Sequence, residues 1–309
     1  MRLDRWFKVY YPGLGFGQLQ KLLRSGQIRV DGSRAKSQTR LNPGEIIRVP
    51  PLNVDTKATS TLTKNTMKDR GDSDVLEQML LYQDKKVMVF NKPAGLAVQG
   101  GSGLTRHVDG MLEAWRDKAG QKPRLVHRLD RDTSGVLVVA KTRGAAAALT
   151  GSFRKRETKK IYWSLNRGVP RIYSGRISTY MEKDQTPDGD KLRDCAHGEP
   201  DSDHAVSEYA LVTKAGQNVS WLQLSPITGR THQLRVHSDY LGHPIVGDPK
   251  YFSTENWDAP GGIQNRPQLH ARRIVAPHPD GHGQKIYVTA PLPPHMVQSW
   301  NLFAFDESD

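Results

Sequence analysis

The chain has 309 residues, with 45 Lys/Arg against 32 Asp/Glu, a formal net charge of +13 and a single cysteine, Cys195. That length supports a sizeable core without disulfides, and one cysteine excludes both a disulfide framework and a cysteine-based metal cluster, which points to a reducing, cytoplasmic compartment. No apolar run is long enough to span a membrane as a helix, and the basic excess makes a polyanion, nucleic acid first, the expected partner class.

Residues 1–50 hold ten Lys/Arg against three acids. Within them, FGQLQKLLRSGQIRVDG reads as an amphipathic helix stopped at glycine, with Leu19, Leu22 and Leu23 inward and Lys21 and Arg24 outward. The strand IRVDG, which carries Arg29, follows, and NPGEIIRVPP supplies a turn and a second strand. Lys21, Arg24 and Arg29 are the candidate nucleic-acid contacts. A solvated helix face would also be basic, but so large a local surplus favours binding. Residues 52–75 are polar with no sustained period and predict a flexible linker, so the chain divides into a module at 1–51, a linker at 52–75 and a main domain at 76–309.

The main domain opens with KKVMVFNKPAG, a strand ending in a turn, then a helical stretch with Val108, Leu112 and Trp115 near helical spacing. Strand patterns recur at VLVVAK, KIYWSL, AVSEYALV, VSWLQLS, LHARRIVA and KIYVTAP. Helical patterns are fewer, at RGAAAALTGSF, THQLRVHSDYL and PHMVQSWNLF. Many strands with few crossover helices predict an α+β domain on a mixed, largely antiparallel sheet, preceded by the small α/β module. Residues 181–204 are polar and turn-rich and read as a surface excursion.

Three stretches are candidates for carrying chemistry. In HRLDRDTSG, an extended backbone puts Arg128 and Asp130 on one face and His127 and Leu129 on the other. Arg128 and Arg131 favour the charged form of Asp130, which suits a nucleophile or base, although an exposed structural ion pair is the commoner reason for such a residue. Asp132 reads as a turn cap. In SPITGRTHQLRVHSDYLGHPIVGD, the TGRT turn opens a helix with Leu234, His237 and Leu241 on a buried stripe, and Arg230 at the turn is placed to clamp a carboxylate or phosphate. His232 and His237 read as hydrogen-bonded packing groups, and no spacing in the chain marks a metal site. On KKIYWSLNRG, Tyr162 and Trp163 alternate; most such aromatics are core, but one facing a cleft could stack on a base.

With these segments in view, HRLDRDTSG, TGRTHQLRVH, NKPAGLAV and GHPIVGDPKY resemble the motif series of the RluA family of pseudouridine synthases. The first fifty residues resemble the alpha-L, ribosomal-protein-S-four-like RNA-binding motif that many of its members carry. The resemblance implies an isomerase without cofactor. Asp130 would be the catalytic aspartate, Arg230 its ion-pair partner, and Tyr162 the ring stacked on the target uracil and a candidate for taking the proton from carbon five. Arg128 would fill the space left by the extruded nucleotide. Ser164 and Asn166 stand where alanine and valine are common in that family. Detaching uracil calls for a carboxylate that either adds to the anomeric carbon or removes the neighbouring ribose proton, and the sequence leaves both open.

The implied partner is ribosomal RNA, with transfer RNA as the alternative, and a monomer is expected. A non-catalytic RNA-binding factor and a metal-dependent nuclease using Asp130 and Asp132 are the competing readings.

Overall fold

A computed structural model describes residues 1–11, 14–52, 62–101, 104, 106–183, 191–255, 257 and 261–307. The chain divides into two compact units, Met1–Lys68 and Asp69–Asp309.

In the first unit, helices α1 (Leu3–Tyr10) and α2 (Phe16–Arg24) accompany a small antiparallel sheet of β1 (Arg29–Val30), β2 (Ser33–Arg34) and β3 (Ile47–Arg48), in the order β2-β1-β3. Leu3 and Phe7, one helical turn apart, share a core with Leu19, Leu23, Ile28 and Val30. The sequence reading missed α1, whose start has no side-chain cap and whose apolar positions are only a turn long.

Helix α3 spans Leu62–Met79, so the flexible linker expected over 52–75 fails from Leu62 onward; residues 53–61 lie outside the described residues. Tertiary contacts order its last turns. Leu76 and Met79 are buried, Asp72 pairs with Arg106 at 3.2 Å, and Trp115 donates its indole N–H to Ser73 Oγ at 2.8 Å. These partners lie 34 and 42 residues downstream, beyond the reach of a local pattern.

The second unit is built on an eleven-stranded sheet. In chain order its elements are β4 (Leu80–Gln83), β5 (Val87–Lys92), α4 (Val108–Met111), a 3₁₀ turn at Leu112–Trp115, β6 (Arg124–Leu125), β7 (Ser134–Ala140) and α5 (Arg143–Arg154). There follow β8 (Lys159–Arg167), β9 (Ser174–Lys183), β10 (Leu192–Cys195), β11 (Asp203–Ala215), β12 (Val219–Pro226), α6 (Gln233–Tyr240), β13 (Leu269–Pro277), β14 (Lys285–Thr289) and α7 (Pro294–Leu302). The main path runs β10-β9-β11-β12-β8-β13-β7-β5-β4, with β14 on β13 and β6 on β7. Every pairing is antiparallel except β13 with β7. The expected surface excursion at 181–204 thus contains an edge strand, β10, and 184–190 lie outside the described residues.

The strand VLVVA is apolar throughout because both faces of the sheet are covered there. Leu137 and Val139 join one core with Met88, Phe90 and Leu112, while Val136 and Val138 join another with Val87, Val89 and Leu149 of α5. β7 meets β13 at only two rows, Ser134 with His270 and Gly135 with Ala271. Gly135 has φ of +111°, and a Cβ there would lie 2.3 Å from the Ala271 carbonyl oxygen, so glycine alone permits this approach. On the next strand, Tyr162 of β8 stands opposite Ala271. The loop that enters β7 and the middle of β8 are therefore brought together through β13.

Candidate active site

Three latches fix the loop before β7. His127 Nε2 accepts the Val138 N–H at 2.8 Å, and its ring stacks on Phe153 at 4.6 Å. Burial pushes this imidazole down to about 3, so it remains a neutral structural group. Ser134 Oγ meets His270 Nδ1 at 2.9 Å. From beneath, fully buried Lys92 donates to the carbonyls of Pro93, Leu96 and Arg131 at 2.9, 2.8 and 3.0 Å. Burial lowers this ammonium to about 7, opposed by the charges of Asp132 and Asp130. Leu129 is buried between exposed Arg128 and half-buried Asp130, in the alternation expected of HRLD. The turn after Asp130 is closed by the Thr133 N–H on the Asp130 carbonyl at 3.2 Å, not by a cap from Asp132.

Asp130 and Tyr162 line one cavity of about 530 Å³. Six cationic side chains line it as well: Arg128, Arg154, Arg156, Lys160, Arg230 and Arg235. Asp130 is the sole carboxylate among its described lining residues. Burial, with the charge of Asp130 second, raises the Tyr162 phenol well above its ordinary range, so the ring enters the cavity as a protonated hydroxyl. Trp163, one residue on, points into the core against Trp221.

Arg230 does not pair with Asp130. Its guanidinium reaches Asp203 at 3.1 Å and the His204 carbonyl at 3.3 Å, and among the described residues no ion pair within 4 Å engages Asp130. The TGRT turn explains this. The Gln233 side chain accepts from Thr228 Oγ1 at 2.6 Å and from the Arg230 N–H at 3.0 Å, and donates to the Val206 carbonyl at 2.9 Å. The turn is thereby tied to β11, which carries Asp203 at its start.

The arginine that sequence reasoning missed is Arg235, the third residue of α6. It is 5% exposed and makes a bidentate pair with Asp248 at 2.5 and 2.6 Å. Burial opposes its charge, but Asp248 and then Asp130 more than offset that and raise its pKa. The Tyr251 ring lies 5.1 Å from the guanidinium, and the Tyr251 hydroxyl meets His232 Nδ1 at 3.1 Å. In THQLRVH nothing local marks this arginine as buried. The signal that would have found it is the acid in VGD, thirteen residues later.

The pair Ser164 and Asn166, unusual for the resembled family, is internally satisfied. Ser164 Oγ donates to Asn166 Oδ1 at 2.6 Å, and Asn166 Nδ2 donates to the His243 carbonyl at 2.7 Å.

Residues 86–240 match the family described as RNA pseudouridylate synthase. The chain belongs to that family. It is similar to ribosomal large subunit pseudouridine synthase C of Escherichia coli O6:H1, with 36% identity over 298 residues, 94% of this chain and 89% of that protein. The protein of the same name from Vibrio cholerae serotype O1 is 33% identical over 300 residues, 96% of this chain and 91% of the relative. Among solved structures, human RNA pseudouridylate synthase domain containing 4 superposes with a TM-score of 0.62 at 27% identity, over 77% of this chain and 98% of its own. A pseudouridylate synthase is an isomerase, as the motif resemblance implied, and the mixed, mostly antiparallel α+β fold is the one expected. The matched stretch of this synthase holds Asp130, Tyr162, Arg230 and Arg235.

Proposed function

We propose that this synthase converts uridine to pseudouridine in large-subunit ribosomal RNA, the substrate named in its curated relatives, with Asp130 as the residue acting at the ribose. The observation that carries the assignment is a lone carboxylate in a cationic cavity beside a buried tyrosine. Cations at that surface attract the RNA backbone and offset the few kcal/mol needed to extrude a base. Asp130 then attacks the anomeric carbon or removes the adjacent ribose proton. The base is rejoined through carbon five, which gives up its proton while nitrogen one, released from the ribose, gains one, so the product is an isomer that needs no external reactant. Tyr162 stacks on the uracil and offers its hydroxyl. Because the phenol is held protonated, it serves as a proton donor and platform before it can serve as a base. Arg235, held by Asp248, supplies the buried positive charge that acts on Asp130.

Arg230 and Arg128 contact the RNA outside the scissile bond, with Arg128 filling the vacated stack. The first fifty residues form an S-four-like RNA-binding module that works through the exposed Lys21 and Arg24 of α2. Arg29 contributes less, since its guanidinium already donates to the Gly26 and Gly32 carbonyls at 3.2 and 3.0 Å. The reaction takes place in the cytoplasm on a monomer.

The deciding experiment follows tritium release from ribosomal RNA labelled at uracil carbon five. Wild-type protein is expected to release label, and Asp130→Asn to fall by roughly 10²–10⁴-fold with RNA affinity nearly unchanged. Full activity in Asp130→Asn removes the role given to that residue, and release from transfer RNA alone changes the substrate.

A further inference from the structure

Two lysines of the main unit, fully buried Lys92 and half-buried Lys160, are treated differently. Lys92 spends all three N–H donors on carbonyls, as an ammonium with no ligand to bind must. Lys160, the second residue of β8, has one such bond, to the Thr228 carbonyl at 3.2 Å, and lines the active cavity. It lies on the same strand face as Tyr162, two residues on. Arg154 ends α5 and Arg156 follows it in a left-handed backbone conformation, φ 63°, and both side chains are exposed on the same cavity wall. The helix C-terminus accounts for one basic residue there by complementing the backbone dipole. It does not account for a cluster of three in which, among the described residues, none pairs with a carboxylate.

We propose that Lys160, Arg154 and Arg156 form a phosphate subsite that grips the RNA phosphodiester adjoining the extruded uridine, an inference that rests on the function proposed above. The ligand chemistry is that of a singly charged phosphodiester. Among the described residues, two N–H donors of the desolvated Lys160 ammonium and two exposed guanidinium forks have no carboxylate partner within 4 Å, and they supply charge-assisted hydrogen bonds. Burial lowers Lys160 to about 8, a cost that a bound phosphate would relieve. The wall adjoins Asp130 and Tyr162 in the same cavity, so a phosphate held on it fixes the ribose of the same nucleotide at the reacting carboxylate.

The test measures kcat/KM for tritium release from a large-subunit ribosomal RNA transcript over a series of KCl concentrations. Wild type is compared with Lys160→Met, Lys160→Arg and the double variant Arg154→Gln/Arg156→Gln. Removing a charge-assisted hydrogen bond should lower kcat/KM by roughly ten-fold or more. The slope of log kcat/KM against log [KCl] should become shallower by about 0.7–0.9 for each phosphate no longer gripped. Lys160→Arg should keep most of both. The salt slope separates phosphate binding from a merely structural role, which would lower the rate without changing it. An unchanged rate, or a lower rate with the wild-type slope, overturns the proposal. If Lys160→Met does not fold, the surface double variant decides by the same criterion. Wild-type protein that releases no tritium from ribosomal or transfer RNA overturns the parent function, whereas normal wild-type turnover with unaffected variants overturns the subsite alone.

Discussion

Arg235 and Asp248 illustrate what a buried pair does near a reacting group. The bidentate geometry satisfies both partners, and removing one leaves the other charged and desolvated. Asp248→Ala should therefore cost roughly 3–5 kcal/mol in a denaturant melt and reduce turnover in whatever folded protein remains. A melt unchanged within error would show the pair to be dispensable. His270 is a second residue with a readable consequence. Burial lowers its imidazole to about 3, below the free value of about 6.5, so the unfolded chain binds a proton that the folded chain excludes. The resulting stability is complete above about pH 6.5 and is lost as pH falls toward about 3, by roughly 1.4 kcal/mol per unit. Melting at pH 5 should lie well below that at pH 7.5, and His270→Gln should narrow the difference. At this scale motif and strand period single out Asp130 and Tyr162, and the fold brings both to one cavity. The pairing of Arg230 with Asp130 that the motif resemblance implies is not found, because guanidinium pairing depends on the fold around the turn, which ties Arg230 to Asp203.

Among elements, the long strands other than β9 and the helices with apolar stripes, α2, α5, α6 and α7, announced themselves. Short or tertiary-dependent pieces did not. β4 and β10 are four residues each, and β9 alternates buried and exposed positions through a Ser- and Thr-rich sequence with low apolar contrast. The end of α3 is ordered by distant partners, so composition alone made it a linker. The sharpest element-level demand is the contact of β7 with β13. Gly135→Ala adds a methyl against backbone and forces a side chain into left-handed φ, which together should cost roughly 2–4 kcal/mol. The loss of activity should exceed the loss of folded protein, because the same row carries Tyr162 opposite Ala271. A substitution that lowers both in proportion would make Gly135 a stability residue only.

For the whole molecule, the net charge of +13 is concentrated at one end of the chain, where ten Lys/Arg meet three acids in the first fifty residues. Deleting residues 1–50 should weaken ribosomal RNA binding and flatten its dependence on salt, by about 0.7–0.9 for each phosphate the module had neutralised, while Asp130-dependent chemistry on a short RNA survives. Binding with the wild-type slope would exclude this segment from the RNA interface. Charge and composition conveyed the partner class from the outset. They could not convey how the site is assembled, because Asp130 and Tyr162 are joined through a strand more than a hundred residues further along.

That strand, β13, has a temporal consequence. A chain growing from the ribosome completes HRLDRD and KIYWS long before Leu269 emerges, and until β13 inserts between β7 and β8 nothing sets the two at working distance. Insertion of a central strand from late sequence is a high-contact-order event and is expected to be a slow step of folding. Unfinished or C-terminally truncated chains should therefore bind RNA through their early basic residues without modifying it, and competence should arrive only once synthesis has passed β13, Leu269–Pro277.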